Sequence, residues 1–159
     1  MSRAGRGKRL LVLGIGSRLM RDDGIGPALI DALQQEQWPH NWLMCAAETD
    51  ILYAAELRQA GDYIVFLDAV QTGSAPGTVY MVEFGTQGWS KRTPASLHAQ
   101  DAWRMVFDEP HSGGCLIGVE ASDISPGIGL SNALNDAFPE ICRRVKTRLA
   151  EIGQINLHA

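Results

Sequence analysis

Leu10 to Leu33, reading LLVLGIGSRLMRDDGIGPALIDAL, decides the fold. Leu10 to Leu13 is a short apolar run ended by Gly14 and Gly16, the pattern of a parallel strand covered on both faces rather than of an alternating surface strand. Ile25, Ala28, Leu29, Ala32 and Leu33 then recur at helical spacing, so a helix follows. Between them lies Arg21-Asp22-Asp23-Gly24, two adjacent carboxylates just past the carboxyl end of a strand, where open α/β sheets collect their ligands. An acid ahead of a helix is more often an N-cap that accepts backbone N–H groups and suits the helix dipole. The two roles are compatible, because one Asp can cap while its neighbour faces the cleft.

The rest of the chain extends the same alternation. Trp42 to Ala46 is a second strand, and Thr49 or Asp50 caps a helix running to about Ala60 with Ile51, Ala54 and Ala55 inward. Tyr63 to Leu67 is aromatic and β-branched, the clearest buried strand, and Asp68 ends it. Turn chemistry over Gln71 to Gly77 leads into a strand from Thr78 to Phe84, then a long loop from Gly85 to Pro94. A helix is expected from near Ser96 to His98 through Phe107, and Cys115 to Val119 forms another apolar strand. Ser131 caps a final helix carrying Leu134, Ala137, Phe138, Ile141, Val145, Leu149 and Ile152, where Pro139 predicts a kink or restart near Phe138. The expected architecture is α/β: one three-layer sandwich over residues 1–159, with a mainly parallel sheet of about five strands and helices on both faces.

Composition sets the outer limits. At 159 residues the chain is one domain by the usual prior and long enough to bury a core. A formal charge of -4 argues against nucleic acid as partner, since phosphate contact needs a basic stripe. The only basic cluster, Arg3, Arg6, Lys8 and Arg9, is expected to be a solvated end, with residues 1–8 a disordered tail. No run approaches the ~20 apolar residues of a membrane span, and the run after the tail is too short for a secretory signal. Cys45, Cys115 and Cys142 are isolated thiols, suited to a reducing compartment. A cytoplasmic, monomeric protein is expected.

Three groups fall where such a sheet gathers function: Asp22 or Asp23 after the first strand, Asp68 at the end of the third, and His98 after the long loop. By position alone Asp68 reads equally as a turn aspartate and His98 as a surface histidine. Together, two carboxylates and an imidazole make an N/O ligand set for a borderline divalent ion such as nickel, zinc or iron. An ion with open positions can polarise a carbonyl and activate water for amide hydrolysis. His111 is a reserve ligand; His40 and His158 have weaker claims.

Four segments, LVLGIGSRLMRDDGIG, YIVFLDAV, ASLHAQDAW and IGVEASDISPGIGLS, resemble in order the motifs of the nickel–iron hydrogenase maturation endopeptidases, across nearly the whole chain. The resemblance implies a protease, aspartic-type by classification and without an acyl-enzyme, that removes a C-terminal extension from the hydrogenase large-subunit precursor. It implies that Asp23, Asp68 and His98 engage nickel carried by that precursor, with other divalent metals able to substitute, and that Asp22 caps or orients from behind them. Ser17 stands where the family pattern has an Asn, and Glu48-Thr49-Asp50 replaces a glycine-rich turn, adding bulk and charge beside the cleft.

Other readings fit less well. A dinucleotide fingerprint would need Gly where Leu19 stands. A magnesium-dependent phosphoacceptor would want a lysine after the Cys115 strand, which is absent. There is no G-x-S-x-G elbow for a serine nucleophile. A non-catalytic nickel-binding chaperone using the same three side chains remains a distinct alternative.

Overall fold

A computed structural model of the chain describes residues 8–84, 98 and 113–157. Five strands, β1 (Leu10–Ile15), β2 (Trp42–Glu48), β3 (Tyr63–Val70), β4 (Val79–Phe84) and β5 (Gly114–Glu120), lie in the order β2-β1-β3-β5-β4. The first four in that row are parallel and only β4 runs antiparallel, against β5. Among the described residues there are three α-helices, α1 (Ile25–Leu33), α2 (Ile51–Leu57) and α3 (Asn132–Leu157).

The apolar runs are continuous because both faces of the sheet are covered. Leu10 and Val12 of β1, with Val65, Leu67 and Ala69 of β3, face α1 and α3 through Ile25, Leu29, Leu33, Val145 and Leu149. The alternate residues Leu11, Leu13, Ile64, Phe66 and Val70 face the other way, packing with Ala54 of α2 and with Phe84. The Phe66 and Phe84 rings meet edge to face with centroids 6.0 Å apart.

The chain leaves β1 outward to β2 and returns to β3 on the other side, so β1 and β3 flank the switch point where such sheets form a crevice. Two glycines let α1 start directly over it. A Cβ on Gly14 would lie 2.5 Å from the Gly26 carbonyl oxygen, and one on Gly26 only 2.2 Å from that of Leu67. Helix and sheet therefore touch backbone to backbone, beside Asp68.

Several expectations need correction. β3 does not stop at Asp68, because β5 continues the ladder through Ala69 and Val70, so that carboxylate projects from within the sheet. β1 runs on to Ile15 through Gly14, paired on both sides as far as that glycine. α2 ends at Leu57, with Arg58 already extended, though Asp50 caps it as expected by accepting from Tyr53 N at 3.0 Å. α3 is one helix through Pro139, without a restart. The carbonyl that proline leaves unbonded belongs to Asn135, an exposed position where water can satisfy it. Arg9 is not a solvated end, since its guanidinium grips the buried Asp62 at 2.9 and 2.6 Å. The loop expected over Gly85 to Pro94, the helix from Ser96 to Phe107 and the reserve ligand His111 lie outside the described residues, except for His98 itself.

Gly26→Ala is expected to destabilise the protein by about 3 kcal/mol, since the helix start must lift off the sheet. Gly73→Ala meets no atom within 4 Å and strains only its positive φ of 83°, so it should cost about 1 kcal/mol. Urea denaturation of the two variants checks the difference.

Candidate functional site

Asp23 sits in a single 3-10 turn, Arg21–Gly24, between β1 and α1. Gly16, at φ 121°, makes that placement possible: a Cβ there would fall 1.9 Å from the Asp23 carbonyl oxygen. The Ser17 amide donates to Asp23 Oδ2 at 2.8 Å, and the Ser17 hydroxyl accepts from Leu19 N at 3.2 Å. The serine thus closes the turn with backbone and hydroxyl, without the amide side chain of the family pattern.

Asp68 is fully buried on β3, its Oδ1 accepting from Ala69 N at 2.9 Å and its Oδ2 from the backbone N–H of His98, also at 2.9 Å. One carboxylate therefore positions the histidine by its main chain. The imidazole reaches back across the crevice, with Nε2 at 2.8 and 3.0 Å from the two Asp23 oxygens. Each of the three residues offers a ligand atom, and these atoms lie within 4.8 Å of one another. His98 is the open wall, its side chain 37% exposed against 7% for Asp23.

Burial works against the charge on Asp23, but the His98 hydrogen bond, the Ser17 amide and the imidazole charge together hold its pKa below the usual carboxylate value. An ionised carboxylate only accepts hydrogen bonds, so Nε2 is the donor. An ion entering the cluster displaces that proton. Two oxygen donors and one imidazole suit a borderline divalent cation.

The neighbouring acid has a different fate. α1 has no side-chain cap: Gly24 precedes it, and the 3-10 turn absorbs the first free amide, with Ile25 N bonding Asp22 O. The Asp22 side chain instead turns to the glycine-rich segment after β5, accepting from Ser122 N and Asp123 N at 2.9 Å each and from Ser131 N at 2.7 Å and Oγ at 2.8 Å. Backbone bonds Arg21 N to Gly127 O and Gly127 N to Leu19 O close the seam between the two loops. Ser131 also caps α3, its Oγ accepting from Leu134 N at 3.3 Å.

Sequence reading missed Glu120, a buried acid at the end of β5 that accepts from Thr72 N, Gly73 N and Thr72 Oγ1 and so fixes the β3–β4 turn. Its position beside the glycine-rich segment was the available signal. The partnership of Arg9 with Asp62, 53 residues apart, has none in the local pattern.

A mainly parallel sheet with two acids and an imidazole converging at its switch point defines an α/β protein with an oxygen and nitrogen donor cluster at the strand ends. The hydrogenase 2 maturation protease of Escherichia coli (strain K12) is 28% identical over 156 residues, which cover 91% of this chain and 93% of that protein. The structure of the E. coli hydrogenase maturating endopeptidase HybD superposes with a TM-score of 0.72 at 25% identity, covering 91% of this chain and 94% of that one. The hydrogenase expression/formation protein HupM of Azotobacter chroococcum mcd 1 is 32% identical over 79 residues, 49% of this chain but only 38% of that protein's length. The chain thus spans well under half of the HupM-type relatives it matches. No family model matches it. In sequence over 91% of its length, and in fold, the chain is similar to hydrogenase maturation proteases.

Removing the Asp22 carboxylate leaves its buried donors unpaired, so Asp22→Ala is expected to cost about 3 kcal/mol or more. Hydrogen exchange should show the amides of Ser122, Asp123 and Ser131 losing protection before the strands do.

Proposed function

We propose that the protein is an endopeptidase that removes the C-terminal extension of a nickel-loaded hydrogenase large-subunit precursor, the nickel arriving as part of the substrate. The convergence of Asp23, Asp68 and His98 within 4.8 Å supports this reading above any other observation, since among the described residues it supplies three ligand atoms to one point. Bound there, nickel supplies a Lewis acid for the scissile carbonyl. Asp23, held ionised, would offer the carboxylate oxygen not facing the ion as the acceptor of a proton from an attacking water, and His98 Nε2 would serve as a ligand. Asp68 fixes the histidine backbone, so the reacting groups need little rearrangement when the substrate tail docks.

An acyl-enzyme route through cysteine is disfavoured on physical grounds. Burial pushes the Cys115 thiol up to about 12, above the range of an attacking thiolate, and burial also raises Cys45 and Cys142. Three free cysteines support a reducing, cytoplasmic location, and no described helix is long and apolar enough to cross a membrane.

Mass spectrometry of the nickel-loaded precursor should show loss of a C-terminal peptide on incubation with the wild-type protein. Asp23→Ala, Asp68→Ala and His98→Ala should each slow that loss by at least about 100-fold. Stoichiometric binding with no cleavage would favour the chaperone reading, and full activity in all three variants would sink the scheme.

A further inference from the structure

The large apolar side chains left exposed among the described residues are not spread evenly over the surface. Leu19 is 66% exposed, Leu52 66%, Tyr53 48% and Ile128 85%, and all four lie on connections leaving the carboxyl ends of parallel strands. Leu19 follows β1, Leu52 and Tyr53 form the first turn of α2 after β2, and Ile128 follows β5. Met81 and Ile155 are the other two, and they border a hollow with Tyr63 and Gly113 at the opposite end of the sheet.

Exposure at Leu19 and Ile128 does not come from loose chain. The Leu19 carbonyl accepts from Gly127 N at 2.8 Å, one residue from Ile128, and the seam is anchored on both sides by the buried Asp22 carboxylate. Both side chains are therefore held out on fixed backbone, four residues from Asp23 in the case of Leu19. A surface ordered before contact loses little conformational entropy on binding. Local charges are already matched: Arg18 bonds Asp31 at 2.7 Å and Glu48 at 2.7 Å, and Arg21 faces Asp123 at 3.6 Å. Among the described residues here these cations are paired with carboxylates, so the surroundings are polar, as around the apolar centre of a protein interface.

We infer that Leu19, Ile128, Leu52 and Tyr53 form a docking surface for the folded body of a protein partner whose tail enters the Asp23–His98 crevice. The surface draws on three separate connections leaving the strand ends where the crevice opens, so a tail that enters the crevice leaves the folded body it belongs to against them. The inference rests on the proposed function for the partner's identity, the nickel-loaded precursor. Its energetic centre is Leu19 with Ile128, whose loops are joined by the Gly127 N to Leu19 O bond, with Leu19 four residues from Asp23.

The dissociation constant for the nickel-loaded precursor, measured by calorimetry, tests this with Leu19→Ser/Ile128→Ser against Ile155→Ser, a residue 68% exposed at the far end of the sheet. Thermal melts confirm that both variants are folded. The double variant is expected to bind at least about tenfold more weakly and the Ile155 variant as wild type. Unchanged affinity in the double variant, or equal weakening in both, overturns the docking surface while leaving the proposed function standing. Concentration-dependent dimerisation of the wild type that the double variant abolishes assigns the surface to a second copy and overturns it too. A wild-type protein that neither binds nor cuts the precursor overturns both readings together.

Discussion

A buried carboxylate that takes no part in the chemistry holds the site in place. Asp22 collects three backbone amides and one hydroxyl from the segment after β5, and in doing so ties the loop that carries Asp23 to the start of α3. An ion of this kind would be costly in a protein interior without such donors; with them, it fixes two otherwise glycine-rich loops relative to each other. The adjacent residue can then be spent differently. Asp23 keeps one firm backbone donor, the Ser17 amide, and turns the remainder of its carboxylate toward His98 and the crevice.

The division of labour between two neighbouring acids follows from backbone geometry. In the 3-10 turn Arg21–Gly24 the two side chains diverge, one toward the β5 loop and one across the switch point. Gly14, Gly16 and Gly26 permit the close approach that brings this turn over β1 and β3, and each would place a Cβ well inside a neighbouring backbone atom. Stability and function share the same constraint here: the helix can start low on the sheet only where side chains are missing, and only there do Asp23 and Asp68 come within reach of one ion.

Much of this was legible in the sequence because it is local. Strand runs such as Tyr63 to Leu67, the helix period of α1 and α3, and the Ser131 and Asp50 caps are written in neighbouring residues, and the layer architecture follows from their order. The three candidate ligands were found through their places at strand ends and through motif resemblance, and the fold brings them together. What was misread depended on distant partners. Asp22 read as a helix cap or as an orienting acid behind the site, and loop amides 100 and more residues away take it from the cap. Asp68 looked like a strand end because the pairing that carries β3 onward is supplied by β5. Arg9 looked solvent-bound because nothing near it in sequence announces Asp62. Pro139 was expected to break a helix whose exposed Asn135 carbonyl can turn to water instead.

Nickel K-edge X-ray absorption of the protein loaded with Ni²⁺ addresses the shared-ion claim most directly. The account predicts a coordination shell of oxygen and nitrogen with imidazole scattering that disappears in His98→Ala. A shell containing sulfur, or imidazole scattering that survives that substitution, would contradict it.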